Sequence, residues 1–304
     1  MASTTAVIPT FNRRESVTRL IAELNGPVAA DHLQVLVTDD GSSDGTWELL
    51  RGFAGANLEI RRNASNQGYA VTLLDSLNRV STEYALLCAD DDRILVNNLN
   101  ALENWAERHH GDFYSPIYLG RDDSVQRGQL KSRHVRAKEW RGSSAHAPGL
   151  LLRTTPTHRA IPLLQELVLQ GNAAALTYPQ VLIVVWLFMH GVGWWWNAPV
   201  VVANFDNPSG LVDQEGRHYW EPWPRLEQAI AFDSALVMFE KAALSSEAVR
   251  RASAIRKFNL WTIYPALRNL ISGQDAGTAR ALDVAAIRGI ATQSIRSTLR
   301  LKSR

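Results

Sequence analysis

Val37-Thr38-Asp39-Asp40-Gly41-Ser42-Ser43-Asp44-Gly45-Thr46 is the stretch on which the reading of this chain turns. An apolar run from Leu33 to Thr38 reads as a strand ending in two carboxylates. Two glycines then permit a tight turn into a helix over Asp44 to Phe53, which Ser43 or Asp44 can cap. Working outward, Thr5 to Pro9 reads as a strand and Arg14 to Leu24 as a helix on the N-terminal side. On the other side come a strand at Leu58 to Arg61, a helix at Tyr69 to Val80, a strand at Tyr84 to Ala89 and a helix at Asn98 to His109. The strands are nearly continuous apolar runs, as in a sheet covered by helices on both faces. The expected fold is α/β: a doubly wound, mostly parallel sheet whose ligands gather at the carboxyl ends of the strands.

Three of those ends carry polar signatures: Ile8-Pro9-Thr10-Phe11-Asn12-Arg13 after the first strand, the Asp39-Asp40 turn after the second, and Cys88-Ala89-Asp90-Asp91-Asp92 after the fourth. The topology sends all three into one crevice. Capping a helix does not by itself require two carboxylates ahead of a turn, so Asp39 and Asp40 are candidates for ligand contact as well as for turn formation.

In order and spacing, Val7-Ile8-Pro9-Thr10-Phe11-Asn12-Arg13, the Val37 to Thr46 stretch, Asn66-Gln67-Gly68 and Asp90-Asp91-Asp92 resemble the family-two glycosyltransferases with the A-type nucleotide-sugar fold. The resemblance covers the first third of the chain most closely and extends to about Ala203. It implies transfer of a sugar from a nucleoside diphosphate donor, usually with inversion. It also implies that Pro9, Thr10, Phe11, Asn12 and Arg13 border the nucleotide, that Asp39 or Asp40 accepts a hydrogen bond from the base, and that Asn66 and Gly68 form a donor-facing loop. Asp90 and Asp91 would meet the nucleotide sugar. Arg13 suits either a phosphate or solvent, and Asn66 with Gly68 equally suits a helix N-terminal turn.

Chemistry supplies a separate reason for the Asp triplet. A departing diphosphate concentrates negative charge, and a hard cation such as Mg²⁺ or Mn²⁺ on one or two carboxylates neutralises it. Alternation along an extended chain places Asp90 and Asp92 on one side as the metal pair, with Asp91 on the other. His218 is a candidate to complete the shell.

The pattern departs from the family where relatives carry an acidic pair at the start of an acceptor-side helix. Here the chain reads Thr177-Tyr178-Pro179-Gln180-Val181, and glutamine cannot act as a general base. His146, Glu166 and Asp206 are the candidate replacements, with His146 preferred because it precedes the strand-like Gly149 to Leu152 segment; a hydrogen-bonded structural histidine is the alternative. Of ten tryptophans, Trp220 and Trp223 lie among prolines and charges and are the candidates for stacking on an acceptor sugar. Three functions follow for comparison: a metal-dependent glycosyltransferase, a non-catalytic sugar-nucleotide or glycan-binding subunit that has lost its base, and a nucleotidyltransferase. The glycine-rich phosphate loop of the last is missing.

The remainder of the 304 residues sets the context. With 46% hydrophobic and 20% charged residues, the composition excludes a disordered, collagenous or disulfide-rich chain. The single Cys88 and an N-terminus without signal-peptide order point to a reducing, cytoplasmic setting. A polar, strand-poor stretch runs from Gly120 to Ser144, followed by a helix from about Ile161 to Leu169. Val181 to Ala203 is apolar but broken by Gly191, Gly193 and Pro199, so it reads as a buried helix from about Pro179 to Met189, a turn and a strand rather than a membrane span. The expected division is a nucleotide-sugar-binding catalytic domain over 1–205 and a helical region over 206–304, with helices at Leu226 to Ala243, Glu247 to Leu270 and Thr278 to Leu301. From Arg250 to Arg304 eleven basic residues face two acids, against a net charge of +2 for the whole chain. The last helix can lay an apolar stripe of Ile287, Ile290, Ile295 and Leu299 on an anionic membrane surface, or pack it on the catalytic body or on a second subunit of a homo-oligomer. A glycan or lipid-linked acceptor is the expected second substrate, and nucleic acid is not among the expected partners.

Overall fold

The computed structural model describes residues 3–24, 33–53, 55–120, 122, 124–203 and 222–271. Its sheet is built from β1 (Thr4–Thr10), β2 (Leu33–Asp39), β3 (Leu58–Arg62), β4 (Tyr84–Leu87), β5 (Arg93–Ile94), β6 (Phe113–Leu119), β7 (Val125–Arg127), β8 (Arg133–His134), β9 (Leu151–Arg153) and β10 (Gly193–Val202). The strand order is β3-β2-β1-β4-β9-β6-β10-β5, with β7 on β6 and β8 on β10. The N-terminal half, β3-β2-β1-β4, is parallel throughout. Beyond it the sheet is mixed: β9 is antiparallel to both β4 and β6, while β10 is parallel to β6.

The strands alternate as period-two geometry requires. Val7, Ala85 and Leu87 enter one hydrophobic cluster, and Ala6, Ile8, Leu86 and Cys88 enter the other, so the sheet has a core on each face. Helix α1 (Arg14–Leu24) covers the second cluster with Val17, Leu20, Ile21 and Leu24, the i, i+3, i+4, i+7 stripe of an amphipathic helix. Helix α2 (Thr46–Leu50) is shorter than the expected Asp44 to Phe53 because Gly45, at φ +87°, sits just outside its first residue. Asp44 accepts the Thr46 N–H at 3.0 Å ahead of it. Helices α3 (Tyr69–Arg79) and α4 (Val96–His109) complete the N-terminal half.

Strand β6 is not announced by the sequence pattern. Ser115 and Pro116 interrupt its apolar run, and proline cannot donate to a central ladder. The structure accommodates Pro116 where the β6–β10 register shifts, between Trp196 opposite Pro116 and Pro199 opposite Ile117. The stretch from Gly120 to Ser144 is likewise more ordered than expected: it holds β7, β8, a 3₁₀ turn at Ala137–Glu139 and α5 (Trp140–Ser144). Glu139 organises this excursion by accepting from both Arg133 Nη atoms (2.8 and 2.9 Å), from Arg136 and from Trp195 Nε1 (3.3 Å). Those donors hold its carboxyl well below the usual carboxylate range, with Arg133 contributing most.

Helix α6 (Thr154–Leu169) starts seven residues before the expected Ile161, carrying Pro162 in its interior where the sequence suggests a first-turn proline. After α7 (Ala173–Thr177), α8 (Pro179–His190) is apolar on every side and almost wholly buried, with Pro179 in its first turn. Twelve residues fall well short of the about 20 that a span requires. No described helix is long and apolar enough to cross a membrane. Helices α9 (Pro222–Lys241) and α10 (Ser246–Ile271) bring Phe232, Leu236, Phe239, Ala252 and Ile255 into the same cluster as Leu182 to Met189. Arg251 of α10 also donates to the carbonyls of Phe188 and Gly191, capping the end of α8. The expected Thr278 to Leu301 helix, with its apolar stripe and flanking basic residues, lies outside the described residues.

Candidate active site

Parallel register sets the ends of β1 and β2 side by side, with Thr10 opposite Asp39. The loops beyond them brace each other. Asn12, at φ +52°, donates its N–H to Ser42 Oγ (2.8 Å), and its Oδ1 accepts the Ser43 N–H (2.9 Å). The side chain of Asn12 is therefore spent on shaping the crevice wall, leaving Phe11 beside it 39% exposed.

Asp39 and Asp40 take different environments. Asp40 accepts Asn63 Nδ2 (2.7 Å), Gln67 N (2.9 Å) and Gly68 N (2.9 Å), tying down the whole loop that contains Asn66 and Gly68. That approach needs a glycine at 41, where φ is +75° and a Cβ would sit 2.7 Å from the Ser65 carbonyl carbon. Asp39 is fully buried. Its Oδ1 accepts the Ser42 N–H at 3.1 Å, while Oδ2 has no hydrogen bond and faces Arg62 Nε at 3.4 Å.

Opposite, the triplet after β4 turns inward. Thr10 Oγ1 donates to Asp90 Oδ2 at 2.7 Å. Asp90 keeps a partly open face, yet its carboxyl lies deep enough that burial, joined by the charge of Asp91, pushes its pKa up to about 6 against the pull of Thr10 and Arg13. Asp91 and Asp92 are buried, and the Tyr118 hydroxyl reaches Asp92 at 3.3 Å from Oδ1 and 3.4 Å from Oδ2. Burial and the same negative field push the Cys88 thiol well up, so it stays protonated behind the site. Arg13 is half-buried beside this cluster with its Nη1 sealed and without a hydrogen bond.

His146 joins the cluster from the other side. Its ring packs 5.6 Å from that of Tyr118, and the Arg127 guanidinium also lies by the tyrosine, 5.8 Å from its centroid. Burial, then Arg127, push the His146 pKa down, so the imidazole is neutral at neutral pH. Glu166 sits elsewhere, exposed on α6 and accepting from Gln170 (3.0 Å). Gln180 is buried near the start of α8 with its Oε1 unpartnered. Asp206, His218 and Trp220 lie outside the described residues, as does the side chain of Trp223. Tyr118 and Arg127 escape sequence reasoning, the first because β6 is not recognisable and the second because it is one arginine among many in a polar stretch.

Among the described residues no group of three or more His, Cys, Asp or Glu side chains is arranged to hold a metal ion. Two carboxylates are nevertheless what Mg²⁺ commonly takes from protein when phosphates and water supply its other ligands, so Asp90 and Asp92 fit such an ion. An open cleft of about 490 Å³, bordered by Asn12, Arg13, Arg14, Arg19 and Asp44, adjoins the loop after β1 rather than the carboxylates.

Comparison with known proteins bears on the same half of the chain. No curated protein sequence matches it. Among solved structures, TarS residues 1–349 from S. aureus in complex with UDP-GlcNAc matches at 17% identity and a TM-score of 0.56, covering 97% of this chain and 79% of that one. A longer TarS structure matches at 15% identity and 0.60, but over only 46% of its own length. The mannosyltransferase PcManGT from Pyrobaculum calidifontis, in complex with GDP-Man and Mn²⁺, matches at 16% identity and 0.51, covering 98% of this chain and 83% of that one. At such identities the likeness establishes a shared fold, the A-type glycosyltransferase arrangement with a helical C-terminal portion. The model for glycosyl transferase family 2 matches residues 5–162, just over half of the chain and the whole of the crevice from β1 to His146, and the chain belongs to that family.

Proposed function

We propose that this chain transfers a glycosyl group from a nucleoside diphosphate sugar to a glycan or lipid-linked acceptor, with inversion, assisted by Mg²⁺ or Mn²⁺ on Asp90 and Asp92. The observation that carries this reading is the Asp90-Asp91-Asp92 turn after β4, with Asp91 and Asp92 buried, Asp90 pushed up to about 6 by burial and like charge, and Asp39 at the end of β2 on the far side of β1. A cation held by Asp90 and Asp92 would offset part of the cost of burying their charges. When bound, the ion would supply positive charge against the departing diphosphate. The complexes of TarS with UDP-GlcNAc and of PcManGT with GDP-Man and Mn²⁺ support the choice of donor class and ion.

The protein's own groups divide the remaining work. Asp39, whose Oδ2 has no hydrogen bond and pairs with Arg62 at 3.4 Å, accepts from the base when the donor opens the wall that seals it, and the exposed Phe11 offers the base an apolar face. Arg13, half-buried beside Asp90, meets a phosphate oxygen. Asp40 holds Asn66 and Gly68 in place as the donor-side wall. Neutral His146 takes the acceptor proton. Incubation with UDP- and GDP-sugars and Mn²⁺, reading nucleoside diphosphate release, tests the whole. Release from one donor is the expected result, and neither release nor nucleotide binding with any donor would overturn it. A non-catalytic sugar-nucleotide-binding subunit is the second reading, favoured by the buried Gln180 at the acid position; nucleotide binding without release is its signature.

Two substitutions separate the roles. Asp39→Asn keeps the shape and the Ser42 contact but turns an acceptor toward a donor, so nucleotide affinity should fall about tenfold or more with kcat little changed. Calorimetry beside steady-state kinetics measures this, and an unaltered dissociation constant would leave Asp39 as a turn former. If His146 is the base, kcat/KM falls on the acid side with a midpoint below the ordinary histidine value of about 6.5, because its folded pKa is lowered. His146→Gln should abolish that limb together with most turnover. An acid limb that persists belongs to another group, Asp90 foremost.

A further inference from the structure

Arg127 at the end of β7 is buried, yet among the described residues no carboxylate pairs with it. Its N–H groups go instead to three backbone carbonyls. Nε donates to Pro116 on β6 at 3.2 Å, Nη2 to Pro148 at 2.8 Å, and Nη1 to His146 itself. Burying a guanidinium without a counter-charge costs several kcal/mol. Desolvation is severe enough to push its pKa down to about 9. A purely structural tie between a strand and a loop could be made by a neutral side chain at less cost.

We infer that Arg127 is a positioning residue: it locks the His146–Gly149 loop against β6 so that His146 stays packed on Tyr118, whose hydroxyl meets Asp92. The inference rests on the proposed transferase reading. Each link has a geometric basis. Gly149, at φ +82°, has Arg127 Nη2 3.2 Å from where a Cβ would lie, and its own N–H is held by Leu87 O (2.8 Å) at the end of β4. The Tyr118 ring neighbours both the guanidinium (5.8 Å) and the imidazole (5.6 Å), and its hydroxyl ends on the Asp92 carboxylate. One side chain thus ties β6, β7 and the loop entering β9 to the carboxylate end of β4. Planar and forked, it reaches three carbonyl oxygens from three different nitrogens, whereas the donors of a lysine all sit on one.

The test compares wild type, Arg127→Gln and Arg127→Lys by steady-state kinetics, nucleoside diphosphate affinity and hydrogen exchange over residues 145–152. Expected for Arg127→Gln are an unchanged nucleotide affinity and donor KM, a kcat lowered about 10- to 100-fold, and faster exchange confined to that loop. Arg127→Lys, which keeps the charge but fewer of the carbonyl contacts, should recover part of both losses; it also decides the matter if the glutamine variant does not fold. Unchanged kcat, or a loss shared equally by donor affinity, would overturn the role. If the wild type neither binds nor turns over nucleotide sugars, the transferase reading fails, while the exchange arm still judges the clamp: unaltered exchange in both variants would sink it.

Discussion

Asp92→Asn is expected to lower turnover by about 10²- to 10³-fold while leaving the protein folded. The substitution preserves volume, and an amide oxygen can still accept the Tyr118 hydroxyl that now lies 3.3 Å from Oδ1. What disappears is one negative charge at the place where a cation would be held against the diphosphate. Because that interaction grows as the glycosidic bond breaks, the loss should fall mainly on kcat and only modestly on donor affinity. Kinetics at saturating Mn²⁺, with thermal unfolding as control, measure it. Full activity in Asp92→Asn, or in excess EDTA, would remove the metal proposal and leave the Asp triplet as a strand terminus.

The largest expected change in stability lies in the helical portion. Arg256 on α10 is buried, with Nε and Nη2 on the two oxygens of Asp233 (2.9 and 3.0 Å) and Nη1 on Glu240 (3.3 Å), both acids belonging to α9. Arg256→Leu removes the guanidinium from between two carboxylates in a poorly solvated seam and should cost about 3–5 kcal/mol. Replacing all three residues by apolar ones of similar volume should restore most of that loss, since the penalty comes from orphaned charge rather than from a missing attraction. Denaturant unfolding of the single and triple variants gives both numbers. A single-variant cost under about 1 kcal/mol would mean that the acids find water when the arginine goes.

How much of this could be read before folding depends on whether the signal was local. Strands β1 to β4 and helices α1, α3 and α4 follow from apolar periodicity, and the Asp39, Asp90 and Asp92 positions follow from motif order. Strand β6 was hidden by Ser115 and Pro116, whose tolerance depends on a register shift in a partner strand some 80 residues away in sequence. The antiparallel insertion of β9 has no local mark at all. Asp39 and Asp40 look alike as a dipeptide; their separation into a buried, under-bonded carboxylate and a loop tether arises only when Asn63, Gln67 and Gly68 fold back onto Asp40. Tyr118 and Arg127 were invisible for the same reason, because their meaning is set by what the strands bring beside them.

The central place of β9 also constrains the order in which the protein can be assembled during synthesis. Among the described residues β9 is the only strand joining β4 to β6, so until residue 153 is available the sheet exists as two unconnected pieces. The β3-β2-β1-β4 piece is complete once residue 87 has emerged. The other piece must wait for β9 and then for β10, because both strands lie later in the chain. During that wait the edge of β4 is open, a template for pairing with another nascent chain. The half carrying Asp39, Asp40 and the Asp triplet is thus available first, and the step that brings in His146 is also the one that shields it from aggregation.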